Sequence, residues 1–267
     1  MAELKTRIFG WHSFKGGSGR SLGLANVAYE LASRGRRVLC VDMDLESCGL
    51  ATIFDVEIDD RPGTTEVLIQ GRYPVLKSAI CPVGKVRGWD CYIDLIASKH
   101  EPPEQLMKLR WTEALAGFGN VLVDTYASAE KIDYIFLDSR GGISEQLAAS
   151  LLLPTDGVIV FTRADRQSRV GTLHLLETIR RLAPRPLTPL IVMNGVPAGP
   201  DGDGAIADLR ARLLLKAMNE VTMLTTPFDP SLLLIEEIVT RTRKSGPDPL
   251  RMAYNAVADW IEGGARP

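Results

Sequence analysis

The chain has 267 residues, of which 45% are apolar, 24% charged and 6% aromatic, with a formal net charge of -2. That length buries a single core, so one domain over residues 1–267 is expected, with a frayed tail at 263–267. Near-neutral charge excludes a permanently basic nucleic-acid coat and an acidic disordered tail. No apolar run approaches the roughly 18 residues that span a bilayer. The start, MAELKTRIFGWHSF, lacks a signal peptide's apolar stretch, so the cytoplasm is the expected compartment.

Strand-like and helix-like segments alternate, which predicts an α/β fold: three layers around a mostly parallel central sheet. Arg7–Phe14 reads as the first strand and runs into the glycine-rich turn Lys15–Gly19. From Arg20 to Arg34 the residues Leu22, Leu24, Val27, Ala28 and Leu31 recur at helical spacing, and Gly35 closes the helix. Arg37–Val41 is a short strand ending in Asp42 and Asp44. A loop at Asp59–Gly63 precedes a helix at Thr64–Gln70. Cys91–Ala97 is strand-like, and Pro103–Ala116 reads as a helix with proline in its first turn. Tyr134–Leu137 is a strand that delivers Asp138 at its carboxyl end. Gly157–Phe161 and Leu190–Met193 are buried-strand candidates separated by the helix Gln167–Leu182. Val196–Gly204 reads as a loop, Ala205–Met218 as a helix, Val221–Thr225 as a strand and Pro249–Ile261 as the last helix.

The four cysteines, Cys40, Cys48, Cys81 and Cys91, form no C-x-x-C pair and have no histidine at metal-ligand spacing. Cys40, inside VLCV, reads as a small buried hydrophobe.

The segment FKGGSGRS, Phe14 to Ser21, carries the most chemistry. Consecutive glycines turn the chain tightly and bring backbone N–H groups to one point, and the positive end of the following helix faces that point. Such a cradle suits the β- and γ-phosphates of a nucleotide. Ser21 stands where a P-loop hydroxyl ligates Mg²⁺. The plain pattern G-x-x-x-x-G-K-[ST] fails twice, because Phe14 replaces its first glycine and Arg20 its lysine.

With its leading lysine, this run resembles the ParA/MinD family of deviant Walker ATPases, in a branch carrying arginine at the P-loop lysine position. The resemblance runs from Ile8 to about Ile235 and is most specific at Lys15–Ser21 and Asp42–Asp44. It implies a P-loop fold of the SIMIBI class and an ATPase that uses ATP and Mg²⁺. It assigns the nucleotide to Gly16, Gly17, Ser18, Gly19, Arg20, Ser21 and Leu22. Ser21, Asp42 and Asp138 become the metal's residues, in the motifs VDMDLES and YIFLDSRGG, with Gly141 or Gly142 as hinge of a γ-phosphate-sensing loop. Asp44 becomes the residue that orients the attacking water. Lys15 becomes the signature lysine that reaches a partner's nucleotide across an ATP-dependent homodimer. Asn194, in LIVMNGV, and Pro227 and Phe228, in TTPFDP, fall at the adenine.

A guanidinium is planar, larger than an ammonium and inclined to bidentate contacts, so Arg20 predicts retained nucleotide binding and slow hydrolysis. Family habit makes nonspecific DNA a candidate partner, through Arg163, Arg166, Arg169, Arg210, Arg212, Arg241 and Arg243. An unidentified protein partner or cargo is also implied. Membrane attachment is not expected, because the polar face of the last helix carries Arg251, Asn255 and Asp259 rather than lysines. Three functions follow: positioning DNA or another cargo, regulating a signalling or defence system as an ATP switch, and metal-cluster maturation. The missing C-x-x-C makes the third the weakest.

Overall fold

Apolar strand residues alternate between two covered faces of one sheet, and that alternation decides which helices lie where. The computed structural model describes residues 5–263 apart from 46, 59, 101–103, 105–108, 145, 146, 148–150, 152, 154, 219, 234 and 244. Its strands are β1 (Arg7–Ser13), β2 (Arg37–Asp42), β3 (Ile80–Cys81), β4 (Tyr92–Ile96), β5 (Tyr134–Asp138), β6 (Gly157–Arg163), β7 (Pro189–Val196) and β8 (Thr222–Pro227). They lie in the order β3-β4-β2-β5-β1-β6-β7-β8. Every neighbouring pair is parallel except β3 with β4.

Phe9, Trp11, Val38, Cys40, Phe136, Ile159 and Phe161 face one side. There they meet α1 (Arg20–Ser33) and the terminal helix Pro249–Gly263. That last helix buries Leu250, Tyr254, Val257, Ala258 and Ile261. Ile8, Leu39, Val41, Ile135 and Leu137 face the other side, under Thr64–Gln70, Tyr73–Ala79 and Trp111–Gly119. Val158, Val160, Ile191 and Met193 complete that side beneath Arg166–Leu182 and Pro200–Leu215. Among the described residues no helix is long and apolar enough to cross a membrane.

The chain leaves β1 for β2 on one flank, returns as β5, and crosses to β6 on the other flank. Open α/β sheets bind ligands in the crevice at the carboxyl ends of strands where the order reverses, and the turn after β1 lies there.

Several boundaries differ from the sequence reading. β1 ends at Ser13, so Phe14 belongs to the turn. Helix Pro200–Leu215 begins inside the stretch read as a loop, because Pro200 opens it and Asp201 and Asp203 complement its first turn. Most of the expected helix Pro103–Ala116 falls outside the described residues. The described helix, Trp111–Gly119, runs past Ala116 into a wider π-helical stretch, Asn120–Ala127, because Leu115, Phe118, Leu122 and Tyr126 continue one apolar face. The expected tail lies outside the described residues beyond Gly263. The short helices Gly49–Phe54, Val83–Val86 and Val239–Thr242 carry too few residues to show a period.

Phe14 is explained by its neighbour. A Cβ built on Gly171, in helix Arg166–Leu182, would stand 1.9 Å from the Phe14 ring. The ring therefore fills the space a side chain would take and ties the turn to that helix. Gly171→Ala is expected to lower stability by about 1–3 kcal/mol through overpacking. Phe14→Leu should recover part of that loss in the double variant, so that thermal unfolding of the two single variants and the pair reads non-additive.

Candidate functional site

The turn after β1 is built for close approach by an anion. Gly17 and Gly19 adopt φ of 68° and 80°, a region that glycine enters without a Cβ penalty. Gly19 is the N-cap of α1 and supplies no side-chain acceptor, so the first-turn amides are left for a ligand. A Cβ at Gly19 would lie 2.1 Å from Asn194 Nδ2, and one at Gly141 would lie 3.0 Å from Gly16 N. Gly142 N donates to Ser13 O at 2.8 Å. The loop after β5 is thus seated directly on the glycine turn.

Asp42 and Asp138 end the neighbouring strands β2 and β5 as register partners, and each is 1% exposed. Burial and the proximity of Asp138 push the Asp42 carboxyl well above the ordinary carboxylate range. Amides of Leu50 and Asp44 donate to it and partly oppose the rise. Burial raises Asp138 too, and Arg20 holds it down. Arg20, the first residue of α1, is 7% exposed. Its Nε donates to Asp138 Oδ1 at 2.5 Å and its Nη2 to Ser21 Oγ at 3.2 Å, and Nη2 stands 3.7 Å from Asp44 Oδ2. The serine and carboxylate oxygens are hard donors of the kind Mg²⁺ takes, so the residues fit that ion. Arg20 already lies against three of those four side chains.

The remaining predicted residues divide. Lys15 is exposed, and its Nζ donates to Gln167 Oε1 at 3.1 Å on the helix Arg166–Leu182. Ser18 is buried, and Leu22 half-buried. Asn194 lies beside the cradle but is used to brace it. Its Nδ2 donates to Ser18 O at 2.9 Å, and its Oδ1 accepts from the Thr226 hydroxyl. Phe228 is half exposed, with its backbone N–H on Val196 O at 2.9 Å and its ring edge over Gly195. Pro227 ends β8 and is half-buried.

Four of the seven arginines read as a DNA surface have partners within the fold. Arg169 and Arg212 both bind Asp208, at 2.8 and 2.9 Å, which fastens helix Arg166–Leu182 to Pro200–Leu215. Arg243 is clasped by Asp229 at 2.5 Å, Glu237 at 2.6 Å and Asp248 at 3.5 Å. Arg241 stacks over Trp89, 5.2 Å from the ring centre. Arg163, Arg166 and Arg210 are exposed.

His12, Ser139 and Thr226 went unread in the sequence. His12 precedes the turn by three residues and is fully buried, and both its ring nitrogens, like Ser13 Oγ and Ser139 Oγ, lack a partner among the described residues. Its ring folds back over Gly10, where a Cβ would meet Nε2 at 2.6 Å. No spacing rule could have found it, since a single histidine in an apolar strand has no periodic signature.

A glycine turn at a helix start, beside two strand-end aspartates, is the arrangement of the P-loop fold of the ParA/MinD (SIMIBI) type. The chain belongs to the AAA domain family, whose profile matches residues 6–190. An uncharacterized protein of Mycobacterium tuberculosis, Rv1708, is 28% identical over 193 residues, covering 68% of this chain and 54% of that protein. The chain spans about half the length of the curated relatives it matches. The fold is similar to MinD in the MinC:MinD cell division complex of Aquifex aeolicus, with a TM-score of 0.75, 18% identity and 98% of each chain covered. It is also similar to the septum site-determining protein MinD of Pyrococcus horikoshii complexed with Mg-ADP, with a TM-score of 0.71, 19% identity and 96% of each chain covered.

Burial, and secondly the Arg20 charge, lower the His12 pKa from 6.5 to about 3. Between those values the unfolded chain binds a proton that the folded chain refuses, so stability falls as pH drops through this window. Relative to His12→Leu, the wild type is expected to lose about 2 kcal/mol between pH 7 and pH 5, measured by chemical unfolding at each pH.

Proposed function

We propose that this chain binds Mg-ATP and works as a nucleotide-switched homodimer with slow hydrolysis, acting in the positioning of DNA or another cargo. One observation carries the reading: Gly19 leaves the first turn of α1 without a side-chain cap, and Arg20 in that turn touches both Ser21 and Asp138, the register partner of Asp42. The MinD of Pyrococcus horikoshii, complexed with Mg-ADP, supports the choice of ligand.

In this reading the amides of Gly16–Leu22 hold the triphosphate, and Ser21, Asp42 and Asp138 hold Mg²⁺. When bound, that ion neutralises charge developing on the transferred phosphoryl group. Asp44, half-buried at the mouth of β2, orients the attacking water. Phe228 presents an exposed ring to the adenine, and Pro227 lines the same edge. Asn194 adds a polar contact there with the donor and acceptor capacity left after bracing Ser18. Lys15, exposed at the outer end of the turn, reaches the partner's nucleotide. Arg163, Arg166 and Arg210 are the arginines left for a DNA contact, with phosphate binding that weakens steeply with salt.

A second reading, a regulatory ATP switch with little hydrolysis, is favoured by the 3.7 Å approach of Arg20 to Asp44. A guanidinium there competes for the carboxylate that should hold water.

The test combines equilibrium binding of a fluorescent ATP analogue with light-scattering mass in ATP and Mg²⁺. Wild type should bind nucleotide and dimerise, and Lys15→Ala should bind within about threefold yet stay monomeric, a change of under 1 kcal/mol in affinity. A monomeric wild type under all conditions would sink the dimer mechanism. Arg20→Lys should raise the single-turnover rate by at least about tenfold, a barrier lowering of about 1.4 kcal/mol. An unchanged, near-zero rate in both proteins decides for the regulatory switch.

A further inference from the structure

We propose that Arg20 is the resident counter-ion of the site, standing among the oxygens a divalent cation would take, so that nucleotide binding requires no divalent cation. The inference rests on the nucleotide reading above and goes beyond it by removing the metal from the binding step.

The geometry carries it. One guanidinium, 7% exposed, spans Asp138, Ser21 and Asp44 at 2.5, 3.2 and 3.7 Å, while Asp42 is the register partner of Asp138 on the next strand. A lysine ammonium at the start of α1 would be a single point charge on a flexible stem. The arginine fork instead grips several oxygens at once, and breaking such a buried pair leaves an uncompensated charge. Nε and Nη2 are spent on these groups, while Nη1 has no partner among the described residues. That nitrogen keeps two N–H donors for a phosphate oxygen, the oxygen chemistry that guanidinium recognises best. The protein thus supplies, covalently, a positive charge between carboxylates and phosphate. A divalent cation entering this space must first displace a fixed, hydrogen-bonded side chain.

Two measurements separate this inference from the nucleotide reading. The first uses nucleotide-free protein, unfolded thermally with and without millimolar MgCl₂. Wild type should show no shift, because Arg20 already stands against Asp138, Ser21 and Asp44. Arg20→Ala should start lower and be raised by several degrees with MgCl₂, as a ligand that binds only the folded state requires. Arg20→Lys serves in the same comparison if Arg20→Ala does not fold, and should also gain more from MgCl₂ than wild type. An equal MgCl₂ shift in wild type and variant overturns the counter-ion role.

The second titrates the fluorescent ATP analogue in EDTA and in MgCl₂. Wild type should bind with less than about threefold difference, and Arg20→Lys should weaken by more than about tenfold in EDTA. Wild-type binding that collapses in EDTA overturns metal-free binding while leaving the nucleotide reading in place. Absence of binding in both buffers overturns the nucleotide reading and metal-free binding together, and the thermal comparison then decides the counter-ion role by itself.

Discussion

Two carboxylates that end adjacent parallel strands cannot both be buried and ionised without a positive charge beside them, and in this chain that charge is covalently attached. Asp42 and Asp138 are register partners about one strand spacing apart, both shut away from water. Asp138 raises the proton affinity of Asp42, and Asp138 itself tolerates burial because Arg20 reaches it from the start of α1. Removing one partner of such a buried pair typically destabilises by about 3–5 kcal/mol. The ion pair therefore also fixes where α1 begins relative to the sheet, and with it the direction in which the first-turn amides point.

The glycine turn is shaped from outside as much as from within. Asn194 on β7 holds the Ser18 carbonyl, Gly142 bonds the Ser13 carbonyl, Gly141 abuts Gly16, and Phe14 fills the space over Gly171. Three separate segments thus pin a loop that glycine alone would leave free to move. A preorganised loop orders little further on binding a ligand, which lowers the cost of binding.

Much of this was legible in the chain. The order strand, glycine turn, helix, strand, aspartate pair predicts the site's main parts, because glycine and aspartate at strand ends carry their chemistry locally. The strand positions were equally readable, since Ile8 with Phe9 and Leu39 with Cys40 alternate between two apolar faces. Boundaries were less so: Pro200 and Asp201 sit in a glycine-rich stretch that reads as loop until proline is recognised as a helix start. The partners of the arginines were not legible. A count of positive residues says nothing about the acids beside them: Asp208 pairs with Arg212 on its own helix and with Arg169 on another, and Glu237 pairs with Arg243 six residues on.

The residue sequence by itself determined the class of fold, the anion cradle and the identity of the charged groups around it, because these follow from local backbone freedom, periodicity and side-chain chemistry. It marked Arg20 as the departure from the P-loop pattern without saying what the arginine would touch. Only the tertiary structure decided that. Bringing β2, β5 and the start of α1 to one point put a guanidinium among three oxygen-bearing side chains, and it turned Asn194 into a brace and His12 into a neutral, enclosed ring. Such partnerships join residues as many as 176 positions apart, as Asn194 and Ser18 are, and electrostatic energy depends on distance in space rather than along the chain.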